Sequence, residues 1–180
     1  SGAASTLMID SSGVVSTRPG SLFGNGIIDV QTNDYSFNGP IGGSGSLEKR
    51  GTGTLTFGGA CTYANLQISQ SQVDVNSTIF TGNVVLAGNT TVRFLQSINS
   101  FPGQFFGPST STIKVESPAT FVYTSSTPSI FSGTIVANGN IICSDNTTRS
   151  MTGAILEIGP SGSFVIDVPD DYISIFSKID

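Results

Sequence analysis

The chain of 180 residues contains no histidine and no tryptophan, only two cysteines, and charged side chains at just 11% of its positions. Without histidine neither a Ser-His-Asp nor a Cys-His arrangement can form, and the commonest metal ligand is missing. Cys61 and Cys143 show no Cys-x-x-Cys spacing, which argues against a zinc or thioredoxin-like site. They read instead as two buried or isolated thiols. Seven Lys and Arg against twelve Asp and Glu give a formal charge of −5, whereas a nucleic-acid groove needs clustered basic side chains. No nucleic-acid partner is expected. No apolar run reaches the roughly 18 residues of a membrane helix, so the chain is not expected to span a membrane itself. Its first residues, Ser1-Gly2-Ala3-Ala4, lack the basic start of a signal peptide, and the sequence reads as an excised mature fragment. Helix formers are thin, with eight Ala, eight Leu and three Glu. Almost no helix is expected.

What remains is Ser, Thr, Val, Ile, Phe and Gly, a β-forming composition with twelve Phe to fill a core. Short segments with apolar residues at spacing two recur from Leu55 onward, each ended by Gly, Asn, Ser or Pro: Thr54–Phe57, Leu66–Ile68, Val73–Val75, Val84–Leu86, Val92–Phe94, Ile113–Val115, Phe121–Tyr123, Leu156–Ile158 and Phe164–Ile166. The starts Leu55, Leu66, Val73, Val84 and Val92 follow one another by alternately longer and shorter steps, so every second strand recurs at a nearly constant interval. That interval is close to the length of one solenoid coil, which predicts an all-β, right-handed parallel β-helix over residues 1–180, with 1–30 as an irregular N-terminal cap. Short strands at such regular steps also suit a β-sandwich, and Asn25-Gly26, Asn38-Gly39 and Asn138-Gly139 would serve its hairpins. The spacing leaves both open.

Residues 99–108 break the rhythm with two Pro, two Gly and three Phe and are expected to form a loop. Its aromatics either plug the core or make an exposed contact surface, for which Phe101, Phe105 and Phe106 are the candidates. Carboxylates suitable for glycoside cleavage are Asp145, Asp167, Asp170 and Asp171, with Asp74, Glu116 and Glu157 as central strand residues expected to face water. No cofactor and no metal is expected. The run Gly42-Gly43-Ser44-Gly45-Ser46-Leu47 differs from a calcium nonapeptide because Leu47 stands where Asp is needed.

The most specific stretch is residues 37–75. It contains Ile41-Gly42-Gly43-Ser44-Gly45-Ser46-Leu47-Glu48-Lys49, then Gly51-Thr52-Gly53-Thr54-Leu55-Thr56-Phe57-Gly58, Tyr63, and the strands Leu66–Ile68 and Val73–Val75. This run resembles the passenger-associated transport repeat of bacterial autotransporters. Phe57 replaces the usual Leu, Cys61 a small polar residue, and Ala64-Asn65 the Gly-rich turn after the aromatic position. The glycines at 42, 43, 45, 51 and 53 are expected to allow positive-φ turns, and Leu47, Leu55 and Phe57 to point into a narrow core. The resemblance implies a β-helix secreted through the outer membrane and displayed at the cell surface as a stalk or adhesin without enzymatic activity. The partners it implies are the parent chain's translocator β-barrel and a host-surface protein or glycan. A tailspike-like β-helix that binds or depolymerises polysaccharide, and a sandwich-type binding or capsid module, are the alternatives.

Overall fold

The fold is given by a computed structural model that describes residues 5–11, 13–127, 129–144, 154–166 and 178–179. Among them there is no helix, and every strand pair is parallel, as a solenoid requires and a hairpin-built sandwich does not. The sandwich alternative is thereby corrected. Three sheets run along the stack. The first contains Ser5–Met8, Asn25–Asp29, Ser46–Arg50, Cys61–Ile68, Phe80–Leu86, Phe105–Gly107 and Ile130–Phe131, with Gly20–Ser21 and Ile41–Gly42 joined to its side. The second stacks nine strands: Val14–Ser16, Tyr35–Phe37, Leu55–Phe57, Gln72–Val75, Thr91–Phe94, Thr112–Val115, Thr134–Ala137, Ile155–Ile158 and Lys178–Ile179. The third, confined to the later coils, consists of Ile98–Phe101, Thr120–Tyr123, Asn140–Cys143 and Ser163–Ile166.

Each strand pairs with its equivalent one coil away, and register follows the alternation of apolar and polar residues. In the second sheet Tyr35, Leu55, Val73, Val92, Ile113, Ile135 and Leu156 form one inward column. All seven are buried. The coil length expected from the sequence holds only for the middle of the chain. It fits the steps from Leu55 to Val73 and from Val73 to Val92, whereas those from Val92 to Ile113, Ile113 to Ile135 and Ile135 to Leu156 are all longer. The extra residues accompany the third sheet, which gives the later coils a further face.

Within residues 1–30, where an irregular cap is expected, the described residues include paired strands. Ser5–Met8 and Val14–Ser16 pair in register with Asn25–Asp29 and Tyr35–Phe37. Leu7 faces the same way as buried Ile28 yet is 46% exposed.

The segment 99–108 is likewise ordered, contributing the end of one strand of the third sheet and Phe105–Gly107 of the first. Phe101 and Phe105 are 0% and 1% exposed, which corrects their assignment to a contact surface. They lie at the centre of a continuous run of rings from Phe57 through Tyr63, Phe80, Phe94, Phe101 and Phe105 to Phe121 and Tyr123, with neighbouring centroids 4.5–6.4 Å apart. Ser129 closes this region from the next coil: its hydroxyl accepts from Phe105 N (2.9 Å) and meets Tyr123 Oη at 2.6 Å. Phe106, next to buried Phe105 in sequence, points outward.

Candidate functional site

The repeat-like stretch forms the corner between the first and second sheets. Leu47, Leu55 and Phe57 point into the core, as expected. Lys49 does so too, which sequence alternation implies but its charge conceals. Lys49 stands in the inward column between Ile28 of the coil before and Ile68 and Leu86 of the two coils after, and it is 0% exposed. Its ammonium is satisfied by main-chain carbonyls: Nζ donates to Gly51 O (2.6 Å) in its own turn and to Gln70 O (2.8 Å) one coil further on. Burial pushes its pKa down to about 8, opposed by the charges of Asp29 and Asp34. Gln70 reinforces the same corner, its Oε1 accepting from Gly51 N (2.8 Å).

The glycines of this stretch serve two purposes. Gly43 and Gly51 take positive φ, +132° and +77°. Gly53 does not; a Cβ there would run into the carbonyl of Asn33 in the coil beneath, so its role is close stacking rather than a left-handed turn.

The outer face of the first sheet carries a column at successive registers: Ile27, Glu48, Gln67, Val85, Phe106 and Ile130. Beside it, two residues earlier along each strand, lies a second column of Asn25, Ser46, Asn65 and Asn83. Asn65 Nδ2 donates to Ser46 Oγ (3.0 Å), Asn83 Nδ2 to Asn65 Oδ1 (3.2 Å), and Gln104 N to Asn83 Oδ1 (3.0 Å), so polar side chains climb the stack rung by rung. Between the columns runs a groove of about 360 Å³, lined by Asn25, Gly26, Ile27, Ser46, Leu47, Glu48, Arg50, Asn65, Gln67 and Val85. Its size falls within the range of small-molecule sites.

Glu48 is fixed within this groove. Arg50 Nε and Nη2 donate to its two carboxylate oxygens at 2.8 and 2.7 Å, and Ser69 Oγ donates to Oε1 at 2.7 Å. The Arg50 hydrogen bonds hold the Glu48 carboxyl below the usual range against its partial burial. Gln67 Nε2 donates to Ser69 Oγ (3.2 Å), extending the network sideways.

A second charged group lies on the outer face of the second sheet. Arg93 donates from Nε (2.9 Å) and Nη2 (2.5 Å) to Asp74, and Lys114 Nζ lies 3.0 Å from Glu116 Oε1. Asp74 points outward, as its central strand position implies, yet is only 6% exposed because Arg93 covers it from the next coil. The expectation of a solvated charge is corrected there. Glu116 is not central to a strand but follows Thr112–Val115 directly. Burial alone would raise its carboxyl, but hydrogen bonds from Asn138 and Lys114 with the charges of Lys114 and Arg93 bring it below the usual range. Both carboxylates are thus tied to cations. Glu157 is central to Ile155–Ile158 and exposed. Asp145, Asp167, Asp170 and Asp171 lie outside the described residues.

Cys61 and Cys143 are buried and form no disulfide with each other. Burial pushes the Cys61 thiol up to about 12. Among the described residues no helix is long and apolar enough to cross a membrane.

These features define a parallel β-solenoid with a mixed polar and apolar outer groove. Compared with protein-family models, characterised proteins and solved structures, the chain matches none.

Of the three aromatics singled out in the sequence, only Phe106 lies on an outer face. Glu48, Gln67 and Asn65 are groove residues that sequence reasoning misses. Each is a polar residue beside an inward apolar one in the same strand, so a signal exists, but which outward columns line up depends on coil lengths that the sequence does not display.

Proposed function

We propose that the chain is a segment of a secreted, cell-surface-displayed rod of the autotransporter-passenger kind, acting as a stalk or adhesin rather than as an enzyme. The observation that carries this reading is the corner at residues 41–70. The stretch that resembles the transport repeat is where Lys49 and Gln70 tie one turn to the next. A repeat that secures successive coils suits a protein that gains its structure coil by coil after crossing a membrane. The nine-strand ladder supports a rod of about 40 Å at the usual strand spacing, enough to hold a surface feature away from an anchor. Asp74 and Glu116, two of the carboxylates considered for glycoside cleavage, are held by Arg93 and Lys114 rather than left for substrate.

The test is display. The chain is joined to an outer-membrane translocator barrel in a Gram-negative host, and intact cells are probed with antibody and external protease. Surface exposure of a protease-resistant segment, with greater adherence of the cells to glycan-coated or protein-coated surfaces, is expected. Retention inside the cell of a chain that folds to a rod when purified would count against the proposal.

A further inference from the structure

The groove on the first sheet shows what kind of ligand the proposed adhesive face would take. Its hydrogen-bonding groups are amides, the Ser46 hydroxyl and the Glu48–Arg50 pair: Asn25 and Gln67 are exposed at its surface, and Glu48 is fixed between Arg50 and Ser69. Because Glu48 and Arg50 neutralise each other in a two-point pair, the site offers directed donors and acceptors without a free charge. An ionic ligand would find no counter-charge there. The same column changes along the stack from polar Glu48 and Gln67 to half-buried Val85 and Phe106, in steps of one strand spacing. A ligand lying along it therefore meets hydrogen-bonding groups and apolar surface within a short distance.

We propose that this groove binds a neutral glycan, with its chain running along the solenoid axis. A sugar ring presents hydroxyls at its edge and C–H groups on its face. The edge matches Glu48, Gln67 and Asn25, and the face matches Val85 in the groove and Phe106, which stands one strand beyond the groove in the same outward column. The side-chain bonds from Arg50 and Ser69 to Glu48, and from Asn83 to Asn65 to Ser46, arrange the site before a ligand arrives. A polyanion is disfavoured by the formal charge of −5. A strand-adding peptide is disfavoured as well, because the groove lies on the face of the sheet, where main-chain groups are already paired. This inference deepens the adhesive reading and rests on it for biological meaning, but binding is measured on the purified chain without any display.

The experiment is titration of the purified chain with neutral hexasaccharides of glucose, mannose and N-acetylglucosamine, alongside heparin and an extended neutral peptide, followed by calorimetry and amide NMR. Saturable binding of at least one neutral hexasaccharide is expected, with shifts confined to the first sheet. Gln67→Ala and Phe106→Ala, both at outward positions, should each weaken it about tenfold, some 1.4 kcal/mol, while Thr112→Ala on the second sheet leaves it unchanged. Unaltered melting of the three variants separates loss of binding from loss of fold. The proposal is overturned by absence of binding to all three hexasaccharides, by binding indifferent to Gln67 and Phe106, or by preference for heparin or the peptide. A failed titration leaves surface display untouched, and failed display leaves a positive titration standing.

Discussion

Lys49 and Gln70 are joined across consecutive coils: the buried ammonium of one donates to the main-chain carbonyl of the other at 2.8 Å, while its second bond holds Gly51 at 2.6 Å. An aliphatic side chain would fit this column, as Ile28 and Ile68 do. Lys49→Met removes the cost of burying a charge but strips both carbonyls of their donor. Each orphaned group costs about 1–3 kcal/mol, so the variant should be less stable by about 1–3 kcal/mol overall at pH 7, measured by urea unfolding.

The same lysine sets a pH dependence of definite sign. Its folded pKa, about 8, lies below the ordinary 10.5, so the unfolded chain holds this proton more tightly and stability rises as pH increases between those values. The full separation corresponds to about 3 kcal/mol. Unfolding free energies of wild type and Lys49→Met taken from pH 7 to 10.5 should diverge over that window. Parallel curves would show that Lys49 titrates normally.

Acid should act through other groups. Glu48 and Glu116 both titrate below the ordinary 4.5, so their contribution is complete above that value and is lost as pH falls through the folded pKa of each. Arg50→Ala removes the main cause of the Glu48 shift and should flatten part of the acid-unfolding curve. Arg93→Ala has a larger effect at neutral pH because it uncovers Asp74, 6% exposed, and a loss of about 2–3 kcal/mol is expected in thermal or urea melts.

The three phenylalanines of residues 101–106 should separate sharply. Phe101→Ala and Phe105→Ala each open a hole in the ring column, with an expected cost of about 3–5 kcal/mol. Phe106→Ala, on the outer face, should stay within about 0.5 kcal/mol of wild type. Equal losses at all three positions would contradict the inward and outward placement.

Gly53→Ala tests close stacking of the coils. The added Cβ meets the fixed carbonyl of Asn33 rather than a movable side chain. A loss of at least about 2 kcal/mol is expected, more than the conformational preference of glycine alone accounts for.

The strands legible in the sequence are those with two apolar residues flanking a polar one, such as Val73-Asp74-Val75 and Val92-Arg93-Phe94, because a half-buried strand writes its geometry at period two. Elsewhere that pattern is broken. Ile98–Phe101 contains a register shift that leaves Asn99 and Ser100 exposed in succession, and Phe105–Gly107 ends in Gly and runs into Pro108, residues that resemble a loop. Lys49 is legible as an inward position by alternation but is charged, and only the neighbouring coil reveals the carbonyl that makes its burial tolerable. The groove is less accessible still. Ile27, Glu48, Gln67 and Val85 are spaced unevenly along the chain, each step shorter than the one before, so no single period brings them together.

Because every described strand pair is parallel, the ladder has direction: the two sides of any coil, the one toward the coil before and the one toward the coil after, are not equivalent. Such a body has a head and a tail that cannot be exchanged by symmetry. Two copies meeting head to head form a closed pair, whereas head-to-tail contact recreates the same free end at each addition and grows without limit.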